Sequence, residues 1–503
     1  MKSRISSSFA FSLTASALLL LLLLCYFRHF NPQATKSWPT TSRHRAAVNR
    51  DSTKEDATAV QVLHLNVLDW GVTGDGIQDD TEAMRRLLAF RCDCHKHIVI
   101  PEHTIVKTFP LNMTSHTTLQ VDGKLTAVQI TTEHWPILPP LPTTGTSEDR
   151  GPGGWLINQY QSFIYASHAQ KLRITGIGTI DGGGPYWWNL FQNKKLTEAG
   201  RPNLIQVVNC TDVEIDKVTL KDSAFWTLHP ILSDTIHIHH LKIRSPLYSP
   251  NVDGIDPDSC HNVVIEYNDI SCGDDHIAIK AGVCGLPRNH YVNDCRDPIW
   301  ATGKYSTENV TVRHNIMRTG MGIAIGSESS GSIRDVLVYN NTIGLCQFGH
   351  DTDDSCGWGP ALHIKTTVTR SGEIANVIFQ NNTIYNTSMA ILVETNYQVD
   401  EQNLPPGYPK TNVHHIVFDN NRAIGKATGA DFHCNQIDPC HDIVITNNII
   451  QNANAEDNSP WSCKYIDTYS VLHNYPEGLI DCMANSMNGT YHSTEAEDEA
   501  VSY

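Results

Sequence analysis

Positive charge is scarce in this chain. Its 503 residues carry 37 Lys and Arg against 53 Asp and Glu, a formal charge of −16. That balance speaks against nucleic acid, because phosphate binding needs a basic footprint. Helical periodicity is also scarce between the short apolar runs of the body. A βαβ barrel needs a helix-sized amphipathic segment in every such interval and is excluded. The 33 Gly and 24 Pro are scattered rather than tandem, so the chain is neither collagen-like nor of low complexity. Zinc-type CxxC spacing with His partners is missing, and Cys92-Asp-Cys94 alone does not supply it. Charged residues make up only 18% against 40% hydrophobic, which leaves ample material for a core.

What is present begins with Lys2 and Arg4, followed by an apolar run from Phe9 to Phe27 centred on Leu18 to Leu24. The run is long for a signal peptide and shows no clear small-x-small cleavage site. About 20 apolar residues span a bilayer, so a signal anchor is the better reading of residues 1–30 and a cleaved signal peptide the second. Either way the body enters the secretory pathway, to be anchored in a membrane or released outside the cell. Residues 31–60 read as a flexible stalk and 483–503, with Glu495-Ala-Glu-Asp-Glu499, as a disordered acidic tail. Cysteine usage agrees with an oxidising compartment. Cys284/Cys295, Cys346/Cys356 and Cys434/Cys440 are spaced as loop-closing disulfides. Setting Cys25 aside leaves an odd number, hence at least one free thiol. N-x-[ST] sequons occur at Asn112, Asn209, Asn309, Asn340, Asn381, Asn386 and Asn488.

Between 61 and 482 one pattern recurs: a short alternating strand, a polar pair, then another apolar residue. It appears as Asp212-Val-Glu-Ile, Thr235-Ile-His-Ile, Asn262-Val-Val-Ile, Asn309-Val-Thr-Val, Asp335-Val-Leu-Val, Asn376-Val-Ile-Phe, His415-Ile-Val-Phe and Asp442-Ile-Val-Ile. The shortest intervals are 23, 26 and 27 residues, and those of 39, 41 and 47 fit one long coil or two ordinary ones. Strand-only units at such a period predict an all-β solenoid, a right-handed parallel β-helix. Asn340-Asn341, Asn381-Asn382, Asn420-Asn421 and Asn447-Asn448 recur at one place in the repeat, where stacked amides bond from coil to coil and Asn tolerates a left-handed turn. Asn340 and Asn381 are therefore assigned to that ladder ahead of glycosylation. Solenoid ends need caps, and Thr81 to Phe90 reads as an amphipathic capping helix with Asp79 or Asp80 as N-cap.

Two acidic clusters carry the chemistry: Asn251-Val-Asp253-Gly-Ile-Asp256-Pro-Asp258 and Gly273-Asp274-Asp275-His276. Asp253 and Asp274 are 21 residues apart, about one coil, which places them nearly above one another. Neighbouring carboxylates cannot all ionise freely, so one is kept as a proton donor while another stays a base. Glycoside hydrolysis needs that division. Either cluster alone is more often a turn or a cap; two of them one coil apart point to a site.

These residues resemble glycoside hydrolase family 28, the polygalacturonases, from about Asn66 to Cys440. Asn66 to Asp80 is similar to the capping segment of many pectin-active β-helices, and Gly178 to Trp188 resembles an early family signature. The paired Asn251-Val-Asp253 and Gly273-Asp274-Asp275 carry most of the likeness. The resemblance implies Asp274 as general acid, Asp253 and Asp275 as activators of water, and inversion, for which acid and base stand roughly 6.5–9.5 Å apart. It implies a pectic polysaccharide as partner, bound in a locally basic cleft within an acidic protein. Asn251, His276, Lys280, His363, Lys365, Arg370 and Tyr397 are the candidate substrate contacts. No metal and no cofactor is called for, and a monomer is expected.

Two positions depart from the family pattern. Met321 in Gly320-Met-Gly322 stands where the family has His, and His363-Ile-Lys365 replaces Arg-Ile-Lys. Lys365 keeps a point charge but lacks the guanidinium fork. Arg370 and Lys280, or a protonated His363, are expected to compensate. The interval from Gly282 to Thr307 exceeds a coil-to-coil step, and a loop of that size beside a cleft walls off one end or is simply pinned by its cysteines. With Gly326-Ser-Glu-Ser-Ser-Gly331 it resembles the exo-acting branch. Trp187 and Trp188 are assigned to packing. The competing readings are a rhamnogalacturonan hydrolase, a calcium-using pectate lyase on the same fold, and a non-catalytic carbohydrate-binding wall protein.

Overall fold

The computed structural model describes residues 61–128, 132–141, 158–196, 199–284, 294–345, 359–367, 370–397, 407–425, 429–451, 461–475 and 477–486. The apolar N-terminal run, the stalk, the Cys346/Cys356 pair, Asn488 and residues 487–503 of the acidic tail lie outside them. Among the described residues no helix is long and apolar enough to cross a membrane.

The short strands stack into three parallel sheets of a β-helix. One sheet has 13 strands and one has 11, and the third is divided into a 4-stranded and a 6-stranded part. The repeat read from the sequence is the ladder of the 13-stranded sheet. Val213, Ile236, Val263, Val310, Val336, Val377, Ile416 and Ile443 pair in that order, coil on coil, and all are buried. The intervals of 47, 41 and 39 residues are single coils with inserted loops, since their ends pair directly. Alternate side chains point into one apolar core running the length of the solenoid.

Each coil turns by left-handed residues placed five apart. Asp212, Thr235, Asn262, Asn309, Asp335, Asn376, His415 and Asp442 open the strand, and Lys217, His240, Tyr267, His314, Asn340, Asn381, Asn420 and Asn447 close it, all at positive φ. The asparagine ladder runs through the residue after the closing one. Asn268, Asn315, Asn341, Asn382, Asn421, Asn448 and Asn474 hand one Nδ2–H to the next Oδ1 at 2.9–3.0 Å. This corrects the assignment of Asn340, which takes the left-handed turn and stands exposed beside the buried Asn341. Asn381 also stands exposed at the turn, and its Oδ1 accepts from Asn420 Nδ2 at 2.7 Å, outside the buried ladder that runs through Asn382.

Helix α1 (Thr81–Ala89) closes the first coils as expected, burying Met84, Leu87 and Leu88. Asp79 Oδ1 accepts from the Thr81 amide at 2.9 Å, and Asp80 instead holds the amides of Thr73 and Gly74. Helix α2 (Gly184–Gln192) was not anticipated. It starts at Gly183, left-handed at φ 67°, with Pro185 in its first turn, and it buries Trp187 and Trp188 as packing residues. Helix α3 (Leu479–Ala484) runs across the boundary expected at 482/483 and is tied down by Cys463–Cys482. Cys284–Cys295 and Cys434–Cys440 are bonded as expected, and Cys92–Cys94 also closes. Cys210, Cys260 and Cys272 are buried free thiols.

Candidate active site

The third sheet is interrupted at one coil, and the first acidic cluster occupies the gap. Strand Leu228–Ile231 ends the 4-stranded part and strand Asp275–Ile279 begins the 6-stranded part. Between them, residues 251–259 make only single bridges, Leu228 to Ile255 to Ile277 and Ile231 to Asp258 to Lys280. Buried Arg201 holds this segment in place. Its guanidinium lies 4.0 Å from the Phe191 ring and 4.9 Å from that of Phe225. It donates to the carbonyls of Ala224 and Pro250 and, at 2.8 Å, to Asn251 Oδ1. Two glycines let the acidic coils approach. A Cβ on Gly254 would lie 2.4 Å from the His276 carbonyl oxygen, and one on Gly273 would lie 1.9 Å from that of Ser249.

Gly254 N–H donates to the Asp275 carbonyl and Ile255 N–H to that of His276. Asp253 therefore stacks on the Asp274-Asp275 pair, in register with Asp275 rather than with Asp274. Asp253, Asp256 and Asp275 are buried, and Asp274 is the one of the four partly open to solvent. Burial, then the Asp256 and Asp274 charges, pushes Asp253 well above the usual carboxylate range. Burial also lifts Asp256 to about 7, against the pull of Lys280. Asp274 rises to about 6, through burial and the Asp275 charge, with Lys365 and Lys280 opposing. The cluster thus combines carboxyls that retain a proton near neutrality with a lysine-paired carboxylate.

Both lysines are engaged by the protein itself. Lys365 Nζ is 2.7 Å from Asp275 Oδ2 and 5.4 Å from the centre of the Tyr397 ring. Lys280 Nζ lies 3.1 Å from Glu328 Oε2, 3.6 Å from Asp256 Oδ1 and 3.8 Å from Asp253 Oδ2, over the Trp226 ring at 4.3 Å. The buried carboxylates hold both ammonium groups firmly charged. Burial moves the Tyr397 phenol up to about 12. His363 occupies the same sheet face, its Nε2 2.9 Å from Glu394 Oε1. Burial lowers its pKa against the pull of that bond, so its charged form is confined to lower pH than expected.

Three expected sugar contacts are otherwise employed. His276 is buried beneath the aspartates, with Nε2 on the Thr319 carbonyl and a pKa lowered by burial to about 4. Arg370 donates to the Cys284 carbonyl at 2.8 Å and secures the disulfide loop. Asn251 is held by Arg201. The loop builds a small core of its own from Cys284, Cys295, Trp300 and Tyr305 with Tyr408, and residues 285–293 lie outside the described set. Met321 is the register partner of Asp275, so a thioether stands beside the acid pair where the family has an imidazole. Sequence reasoning passed over Asp256, Glu328, Trp226, Glu394 and Arg201. Asp256 and Glu328 lie inside motifs already singled out; the other three show no local signal.

Against known proteins, the family described as "Glycosyl hydrolases family 28" matches residues 93–472. A probable polygalacturonase from Vitis vinifera is 29% identical over 435 residues, covering 82% of this chain and 79% of the relative. The crystal structure of an exopolygalacturonase from Thermotoga maritima superposes with a TM-score of 0.64 at 24% identity, covering 82% of this chain and 93% of its own. A polygalacturonase from Erwinia carotovora gives 0.60 at 21% identity, covering 84% and 100%. These structures share the right-handed β-helix.

Proposed function

Since this chain belongs to the glycosyl hydrolases of family 28, we propose that it hydrolyses galacturonate linkages of pectic polysaccharide at the break in its third sheet. One observation carries the reading: Asp253, Asp274 and Asp275 converge from successive coils, one solvent-facing and two buried, with Lys365 against the pair. In this reading Asp274, raised to about 6 and open to the cleft, donates the proton to the leaving oxygen. Asp275, in contact with Lys365, draws the proton from the attacking water, and Asp253, stacked above it and kept protonated by burial, hydrogen-bonds that water. That division gives inversion when the water fits between acid and base. Lys365 and the neighbouring Tyr397 are the proposed partners of a sugar carboxylate. The likeness to the probable polygalacturonase of Vitis vinifera supports the substrate class. The disulfides support a secretory-pathway location, outside the cytosol.

The test is incubation with homogalacturonan and with rhamnogalacturonan, following new reducing ends and ultraviolet absorbance together. Reducing ends from homogalacturonan without absorbance are expected. Absorbance from an unsaturated uronide would reassign the site to a lyase, and binding without turnover on either polymer would make the protein a lectin-like wall component.

A further inference from the structure

A second cluster lies on the outer face of the 13-stranded sheet, a different sheet from the one that carries the aspartates. Strand Asp234–His239 places His237 and His239 two residues apart on one face, with ring centres 4.0 Å apart. Glu214, on the neighbouring strand Thr211–Asp216, is the register partner of His237, and Glu266 is that of His239. The contacts cross: His239 Nε2 is 3.2 Å from Glu214 Oε1, and His237 Nε2 is 2.9 Å from Glu266 Oε1. One ligand atom from each of Glu214, His237 and His239 lies within 4.8 Å of the other two. Their side chains are 31%, 25% and 13% exposed, reachable by an ion yet partly out of water.

The ring of His239 is also held from behind. Its Nδ1 is 2.8 Å from His240 Nδ1, so one of the two nitrogens donates. When His239 donates there, its Nε2 turns a lone pair toward the Glu214 carboxylate and two acceptors face each other. A cation between them satisfies both, and a second-nitrogen donor bond is the usual support of a metal-bound imidazole.

We propose that Glu214, His237 and His239 bind one divalent ion of the zinc class and so clip two successive coils together. Two imidazoles and a carboxylate with room for water suit zinc, whereas calcium and magnesium prefer all-oxygen shells. Zinc bonds of 2.0–2.1 Å set ligand atoms roughly 3.4 Å apart, so the three side chains draw together on binding. The ion takes no part in hydrolysis; it favours the folded coils by mass action. The competing arrangement is an ion-pair lattice without metal, in which Arg173 and Arg313 neutralise Glu214 and Glu266.

The metal-stripped full chain, titrated with zinc chloride in a calorimeter, decides between them. One zinc per chain and a raised thermal midpoint are expected. Replacing His237→Ala with His239→Ala should weaken binding by roughly 100-fold or more and erase the thermal shift. His414→Ala removes another imidazole beside a carboxylate on the same sheet and should leave zinc binding intact. If the double variant folds poorly without metal, Glu214→Gln keeps the side-chain shape and should still weaken zinc by about tenfold. Absence of binding to the wild type, or wild-type affinity in Glu214→Gln or in the folded double variant, overturns the proposal and leaves the ion-pair lattice.

Discussion

Lys365 and Asp275 are 90 residues apart in sequence and 2.7 Å apart in the fold, a buried ion pair at the heart of the acidic site. The chain's own carboxylate thus claims the cation that sequence reasoning reserved for the sugar. Lys365 acts on substrate and on the catalytic pair together, and its removal reaches both.

Lys365→Met is therefore expected to lower kcat as well as raise KM on homogalacturonan. Breaking a buried pair from one side costs about 3–5 kcal/mol, so the thermal midpoint should fall too. Lys365→Arg keeps the charge and restores most of the stability. Steady-state kinetics with a thermal melt of each variant check this. A change in KM alone, at unchanged stability, would show that Lys365 reads only the substrate.

Asp274→Asn removes the one of the four aspartates that is partly open to solvent. Turnover should drop by roughly 10²- to 10⁴-fold, toward the upper end for a poor leaving group. The far-ultraviolet circular dichroism should stay that of the wild type, because Asp274 is partly exposed and Asn keeps the side-chain oxygen that accepts from the Asp275 amide. Substantial residual activity would transfer the acid role to Asp253 or Asp275.

His363→Arg restores a group that is charged at every working pH and can take Glu394 with a two-pronged contact. The wild-type imidazole loses its charge early because it is buried. The variant should bind galacturonate more tightly on the alkaline side, with little gain at acid pH. KM measured across the pH range checks this, and a uniform change would sever the link to imidazole charge.

The fold was legible because its signal is periodic. Eight apolar residues found by pattern alone form one unbroken ladder, and only the intervals of 39, 41 and 47 were ambiguous, since loop length does not reveal pairing. The asparagine pairs were visible, yet which member goes inward depends on the left-handed residue before it, a backbone property the letters do not show. The three aspartates were legible from spacing, but the fates of His276, Arg370 and Lys280 were not. Each is set by a partner 43 to 86 residues away: Thr319, Cys284 and Glu328 answer them across coils. Arg201, between two phenyl rings, illustrates the same limit from the other side.

Asn382 carries the ladder at its centre. Its amide gives hydrogens to Val338 O and Asn421 Oδ1 and receives those of Asn341. Asn382→Ala leaves buried donors and acceptors unpaired on both neighbouring coils, at about 1–3 kcal/mol for each orphaned group. A large fall in thermal midpoint is expected, whereas Asn381→Ala, at the exposed turn, should cost far less. Equal effects would place the ladder on the wrong residue of the pair.

The last prediction concerns pH and stability. Burial raises Asp253, and carries Asp256 to about 7 and Asp274 to about 6 from an ordinary 3.8. Between those values the unfolded chain has lost protons that the folded one still holds, so this contribution to stability is complete below 3.8 and fades as pH rises toward 7. Glu214, Asp216, Glu266, Asp269 and Glu373 are shifted downward and act in the opposite sense, losing their contribution as pH falls below the ordinary carboxylate range. The two trends set a stability maximum in mildly acid solution. Asp256→Asn removes the charge that would form in the cluster, leaving Lys280 its contacts to Asp253 and Glu328. The variant should show a flatter decline of thermal midpoint from about pH 5 to 8 and a higher midpoint than wild type at the alkaline end. A parallel decline in both proteins would mean that Asp256 is already ionised in the folded state, held so by Lys280 alone.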